Sequence, residues 1–148
     1  MKIFLDTSSL FKLYHQEDGT RELEILFAAA QITHIYLSEL TKLEFASTVW
    51  KKVRTKEVTA AQAEATLGFF EADFEKYSFV ATDIPILEQA RQLVRKYGAE
   101  GLRTLDSIQL ATSVSLAKQA DVFLTTDKLL SNFLNAEGLN RRVPNNQP

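Results

Sequence analysis

Short apolar runs alternate along this chain with longer stretches whose apolar residues recur at helical spacing. Ile3-Phe4-Leu5 is a buried-strand pattern ending in Asp6, and Thr7-Ser8-Ser9 offers caps for a helix through Leu10, Phe11, Leu13 and Tyr14, broken by Gly19. Leu23, Leu26, Phe27 and Ala30 predict a second helix. His34-Ile35-Tyr36-Leu37 predicts a second strand, and Ser38 an N-cap for a long helix. In that helix Leu40, Leu43, Ser47, Trp50 and Val53 form the expected packing face, and Lys51, Lys52 and Arg54 mark its far end. Thr59 and Gln62 predict a capping box for a helix running to about Tyr77. A third strand is expected at Phe79-Val80-Ala81, then a helix capped by Asp83, with Pro85 in its first turn and Gly98 closing it. The segment from Thr104 to about Lys118 is apolar around most of its circumference, which predicts a central helix. Val122-Phe123-Leu124 reads as a fourth strand, Leu129 to Phe133 as a short helix stopping near Gly138, and Arg141-Arg142-Val143 as an edge strand. Strands alternating with helices predict an α/β domain with a mostly parallel sheet.

Composition fits that reading and narrows the chemistry. The 148 residues suit one domain, expected over residues 1–143 with a loose polar tail at 144–148. Apolar residues make up 45% and charged residues 24%, as in ordinary globular proteins. The absence of cysteine excludes disulfides, thiolate zinc sites and a cysteine nucleophile, and two histidines are too few for a His-rich metal site. Met1-Lys2 leads straight into the first strand pattern and no apolar stretch approaches a membrane span, so a cytoplasmic address is expected. With a net charge of −2 there is no global nucleic-acid footprint; such a ligand would need local charge or a metal to attract it.

Four acids break the polar-outside pattern. Asp6 ends an apolar strand, Glu44 lies in the helix between Leu43 and Trp50, Asp106 opens the apolar central helix, and Asp127 follows the fourth strand. Each alone has a structural explanation: Asp6 and Asp127 as N-caps, Asp106 complementing a helix dipole, Glu44 paired with Arg103. Together they say more. Ligands of open parallel sheets bind at the carboxyl ends of strands near the reversal of strand order, and neighbouring first and fourth strands would set Asp6 and Asp127 on one rim. Two carboxylates about 5 Å apart repel by about 3 kcal/mol at an effective dielectric of about 20. Four of them take up protons or hold a cation, and an all-oxygen donor set favours Mg²⁺ or Mn²⁺ over zinc. Such a centre orients and acidifies water and stabilises phosphoryl charge.

The runs Ile3-Phe4-Leu5-Asp6-Thr7-Ser8-Ser9-Leu10, Leu102-Arg103-Thr104-Leu105-Asp106-Ser107-Ile108-Gln109-Leu110-Ala111 and Leu124-Thr125-Thr126-Asp127, with Glu44 early in a helix, resemble PIN-domain ribonucleases, and within them the VapC-like toxins of toxin–antitoxin pairs. The resemblance implies a three-layer α/β/α fold with strand order 3-2-1-4-5 and an acidic pocket for one or two Mg²⁺ ions. It makes Asp6 and Asp106 the main metal ligands, Glu44 and Asp127 the third and fourth acids, and Thr7 or Ser8 and Thr125 or Thr126 the supporting hydroxyls. It implies RNA cleavage to a 5′-phosphate and a 3′-hydroxyl, a homodimer, and a cognate antitoxin. Ser107 and Gln109 depart from the family's frequent Ala and His, a change expected to affect local packing or substrate fit. Arg103 is the best phosphate candidate, followed by Lys51, about 10 Å from Glu44 along one helix face; Lys12 and Lys128 lie near the other acids in sequence, and Lys128 reads better as a solvated surface charge. His15 and His34 read as packed or surface residues, and Trp50 with Phe69-Phe70 as core or dimer packing. Alternatives are an RNA-processing nuclease that is not a toxin, a phospho-acceptor domain using Asp6, which lacks the adjacent acids such domains need, and a non-catalytic RNA- or protein-binding module.

Overall fold

The structure, a computed structural model, describes residues 1–139 and the strand backbone at 141–142. Five parallel strands form one sheet in the order β3-β2-β1-β4-β5: β1 (Lys2–Leu5), β2 (His34–Ser38), β3 (Ser78–Val80), β4 (Val122–Leu124) and β5 (Arg141–Arg142). The chain builds outward from β1 to β3 and then crosses back to lay β4 against the other side of β1. Strand order therefore reverses between β1 and β4, where Leu5 is in register with Leu124.

Helices cover both faces of the sheet. The helices are α1 (Thr7–Phe11), α2 (Thr20–Ala29), α3 (Leu40–Arg54), α4 (Ala60–Ala72), α5 (Ile84–Tyr97), α6 (Thr104–Ser115) and α7 (Lys128–Ala136). Side chains alternate across a strand, so Ile3 and Leu5 of β1 and Val122 and Leu124 of β4 join one core with Leu10, Leu23, Phe45, Val49 and Phe70 of α1–α4. Phe4 and Phe123 face the other way, into a second core with Leu93, Leu110, Phe133 and Leu134 of α5–α7. Two-sided burial is why β1 and β4 read as unbroken apolar runs. This is the three-layer α/β/α fold, with α6 packed tightly on α5.

Several sequence expectations need adjustment. The first helix stops at Phe11, because Lys12, Leu13 and Tyr14 make tighter i→i−3 bonds and the Lys12 ammonium turns in to Glu17 and the Asp18 carbonyl. The α4 helix ends at Ala72 and a 3₁₀ turn at Phe74–Lys76 carries the chain to β3; α6 ends at Ser115. Gly98 is right-handed, and the left-handed stop falls at Gly101 (φ 104°), where a Cβ would press to 3.3 Å from Leu129. The packing face of α3 is Thr41, Phe45 and Val49, whereas Leu43 is 69% exposed and Ser47 is also exposed. The N-cap of α3 is Glu39 and not Ser38, which ends β2 one residue earlier and whose hydroxyl accepts from the Leu40 N–H at 3.1 Å. The capping box of Thr59 and Gln62 is complete, and Asp83 caps α5. Val143 and the expected tail at 144–148 lie outside the described residues. Among the described residues no helix is long and apolar enough to cross a membrane.

Candidate active site

The parallel pairing of β1 and β4 builds the site's floor. Each strand ends in a residue that turns into a helix, so Asp6 and Thr125 stand side by side at the carboxyl edge of the sheet, with the Asp6 N–H bonded to the Leu124 carbonyl. Asp6 is 4% exposed and fully engaged: Oδ1 accepts from the Ser9 N–H (2.9 Å) and Ser8 Oγ (2.8 Å), and Oδ2 from Thr125 Oγ1 (2.6 Å). Burial pushes the Asp6 carboxyl up to about 6, against the opposing pull of the bonds from Thr125, Ser9 and Ser8. Thr125 Oγ1 also accepts from the Asp127 N–H (3.0 Å), and the Thr126 N–H donates to Ser8 Oγ (3.3 Å), which ties the two strand ends together.

Three further acids reach the same cavity, of about 300 Å³, from other elements: Glu44 from α3, Asp106 from the first turn of α6, and Asp127 from the start of α7. Capping and pocket-lining prove compatible, since Asp6 caps α1 and Asp127 caps α7 through Leu130 while both face the cavity. Glu44 Oε1 is fixed by Thr7 Oγ1 (2.8 Å) and Gln109 Nε2 (2.7 Å). Asp106 is half-buried and accepts no hydrogen bond among the described residues. Burial, then Asp127 and Glu44, hold its carboxyl above the ordinary aspartate range, with Arg103 opposing them. That mutual influence is the electrostatic signature of acids gathered from four segments of the chain.

The residues fit a hard divalent cation in donor chemistry. Every polar atom on offer among the acids is oxygen, and among the described residues Asp106, Glu44 Oε2 and Asp127 Oδ2 keep lone pairs free of protein hydrogen bonds. They do not form a finished cage, because among the described residues no three His, Asp or Glu side chains stand in a metal-holding arrangement. The fit therefore rests on shared cavity and donor type.

Arg103 lines a second cavity of about 320 Å³ with Glu44, Thr104, Leu105 and Asp106. The ion pair that would have satisfied Glu44 is not formed; Gln109 and Thr7 satisfy it instead. Lys51 is exposed and lines neither cavity, while the next residue, Lys52, does: Glu44, Thr48 and Lys52 follow the i, i+4, i+8 row of α3. Lys12 is buried against Glu17 and lies behind the pocket wall, and Lys128 is exposed. His15 packs on Phe11 and His34 on Tyr36, away from the acids. Trp50 and Phe70 pack in the core and Phe69 is 66% exposed.

The sequence assigned no site role to Lys52, Thr48 and Glu17, which line the first cavity, and marked Gln109, which lines it too, only as a change in packing or substrate fit. Gln109 carried a signal, since it falls three residues after Asp106 and so on the same helix face. It is 3% exposed, its Nε2 also reaches Thr41 (3.0 Å) and Thr7 (3.2 Å), and its Oε1 is buried without a partner. The expected effect on packing or substrate fit thus becomes a direct bond to one of the four acids. Glu17 had no signal, because the turn that brings it back follows from the burial of Lys12.

Comparison with solved structures places the fold in known company. The crystal structure of Mycobacterium tuberculosis VapC20, described as a sarcin–ricin loop cleaving toxin, superposes with a TM-score of 0.71 at 16% identity, covering 99% of this chain and 100% of that one. FitAcB from Neisseria gonorrhoeae gives 0.73 at 15% identity over 96% and 97%, and a toxin–antitoxin complex from Klebsiella pneumoniae gives 0.66 at 19% over 97% and 98%. Identities this low establish shared architecture. No curated protein sequence matches the chain. The PIN-domain family profile matches residues 3–133, a span that opens on the strand leading into Asp6 and closes past Asp127, and on that match the chain belongs to the PIN-domain family.

Proposed function

We propose that this protein is a divalent-metal-dependent endoribonuclease, the toxin of a cytoplasmic toxin–antitoxin pair, that cleaves RNA phosphodiesters by attack of water. The observation that carries the reading is the convergence of Asp6, Glu44, Asp106 and Asp127 on one cavity at the strand-order reversal. Asp106 and Asp6 would hold Mg²⁺ or Mn²⁺, with Glu44 and Asp127 completing the set directly or through water. When bound, such an ion supplies Lewis-acid stabilisation of the phosphoryl oxygens and a lowered pKa for water.

The chain's own residues do the rest. Ser8, Ser9 and Thr125 fix both Asp6 oxygens, so the deepest acid is oriented before any substrate arrives. Thr7 and Gln109 fix one oxygen of Glu44 and leave the other free to accept a proton from an attacking water. In-line attack of water on phosphorus would break the P–O3′ bond, with the departing 3′ oxygen taking a proton from solvent, and leave a 5′-phosphate and a 3′-hydroxyl. The toxin assignment is supported by the likeness to VapC20 and to toxin–antitoxin complexes. A cognate antitoxin and a second copy of the chain are the partners in this reading, with exposed Leu43, Phe69 and Ile84 as apolar side chains for a partner to cover.

Incubation of purified protein with total RNA, with Mg²⁺ or EDTA, tests the proposal beside the Asp106→Asn variant. Mg²⁺-dependent fragments from the wild type alone are expected. Equal cleavage by the variant would remove the acids from the chemistry, and intact RNA in every lane would favour a non-catalytic binding module.

A further inference from the structure

The two cavities share Glu44 and Asp106, and each has its own cation, Lys52 on the first and Arg103 on the second. Among the described residues five carboxylates line the first cavity (Asp6, Glu17, Glu44, Asp106 and Asp127), and Lys52 is the one cation among them. A polyanion approaching such a wall needs positive charge at its flanks as well as at the scissile bond.

Lys52 is built into place. At the end of α3 the Glu57 N–H bonds to the Lys52 carbonyl (2.9 Å) and the Lys56 N–H to the Val53 carbonyl (3.0 Å), a Schellman motif. It puts Lys56 in the left-handed region (φ 63°), strained for a residue with a Cβ, and turns Glu57 back onto Lys52. The Lys52 ammonium meets Glu57 Oε2 at 2.9 Å and stands 5.6 Å from the centre of the Phe11 ring, on the cavity wall. Glu57 takes one of its three N–H donors, leaving two. From Glu44 to Lys52 the helix rises about 12 Å.

Resting on the nuclease reading above, we propose that one single-stranded RNA segment lies across both cavities, its scissile phosphate over Glu44 and Asp106 and flanking phosphates on Lys52 and Arg103. Lys52 and Arg103 are then binding residues at opposite ends of the path. Single-stranded RNA fits because its backbone can be splayed to bring a phosphate down to acids recessed at a sheet edge, which a stacked duplex resists.

The test measures binding of a labelled single-stranded RNA of mixed sequence to the Asp106→Asn protein across a salt series, and cleavage of the same RNA by proteins that retain Asp106. Lys52→Ala and Arg103→Ala should each weaken binding about 5- to 20-fold and lower the salt slope by about 0.7. In cleavage each should act mainly through KM. Lys52→Arg should keep the slope, and Lys118→Ala, an exposed cation beyond the far end of α6, should change neither quantity. Wild-type cleavage with Lys52→Ala or Arg103→Ala behaving like Lys118→Ala overturns the path and leaves the nuclease reading standing. Unchanged RNA for the wild type beside the expected salt slopes overturns the nuclease reading and keeps the binding path.

Discussion

Asp106→Asn separates catalysis from stability with opposite signs. Asp106 is half-buried, takes no hydrogen bond among the described residues, and its charge is disfavoured by burial and by Asp127 and Glu44. Asparagine keeps the shape and removes the charge. Like charges roughly 6–8 Å apart interact by about 0.5 kcal/mol at the dielectric of water and about 2–3 kcal/mol at an effective value of 20. With the cavity open to solvent and Arg103 offsetting part of the repulsion, we expect about 1 kcal/mol of stabilisation in EDTA. For a domain of this size that raises Tm by about 2–4 °C. Mg²⁺ should then reverse the order: an ion at tenfold its Kd adds about 1.4 kcal/mol to the wild type and less to the variant. Cleavage should fall at least about 100-fold. Thermal melts in EDTA and in Mg²⁺, beside a gel assay of RNA cleavage, read all three quantities. A variant that melts lower than wild type in EDTA, or that cleaves RNA at a similar rate, refutes the reasoning. Asp6 is a poorer probe, because an Asn amide would meet the Ser8, Ser9 and Thr125 donors now satisfied by its two oxygens.

Other outcomes follow from particular contacts. Replacing Gln109 with Ala frees Glu44 Oε1 from its 2.7 Å bond, and RNA cleavage should drop about 10-fold or more, while denaturant melts lose about 1–3 kcal/mol; wild-type activity would show that Glu44 needs no such anchor. In EDTA the protein should be more stable near pH 4.5 than near pH 7.5. The Asp6 carboxyl is raised from 3.8 to about 6, so the folded state binds more protons between those values and stability declines as pH rises through them. Between those two pH values the difference corresponds to about 2 kcal/mol for this buried group, opposed below about pH 4 as carboxyls held low, such as Glu88 beside Arg91, take up protons. Urea melts across that range measure the slope. Thr59→Ala removes the hydroxyl that accepts from the Gln62 N–H, leaving only the backbone half of the α4 capping box, and should cost about 1 kcal/mol, or about 2–4 °C in Tm, with cleavage at permissive temperature unchanged.

The amino-acid sequence alone determined the elements and the order of chemistry along the chain. Apolar runs at Ile3 to Leu5 and Val122 to Leu124 read as buried strands, Thr59 with Gln62 and Asp83 with Pro85 announced helix starts, and four acids stood beside apolar segments, of which only Asp6 is fully buried. These are local properties, written in spacing and side-chain type. Tertiary structure decided which distant groups became neighbours. The pairing of β1 with β4 set Thr125 against Asp6, and the rotation of α3 turned Lys52 toward the acids in place of Lys51 and left Leu43 in solvent. Neither follows from periodicity, because a helix half-covered by the sheet shows several plausible faces and packing selects among them. Gln109 shows the same limit most plainly. Its spacing put it on the face of Asp106, but the bond to Glu44 exists only because α3 and α6 approach the same sheet edge from separate parts of the chain.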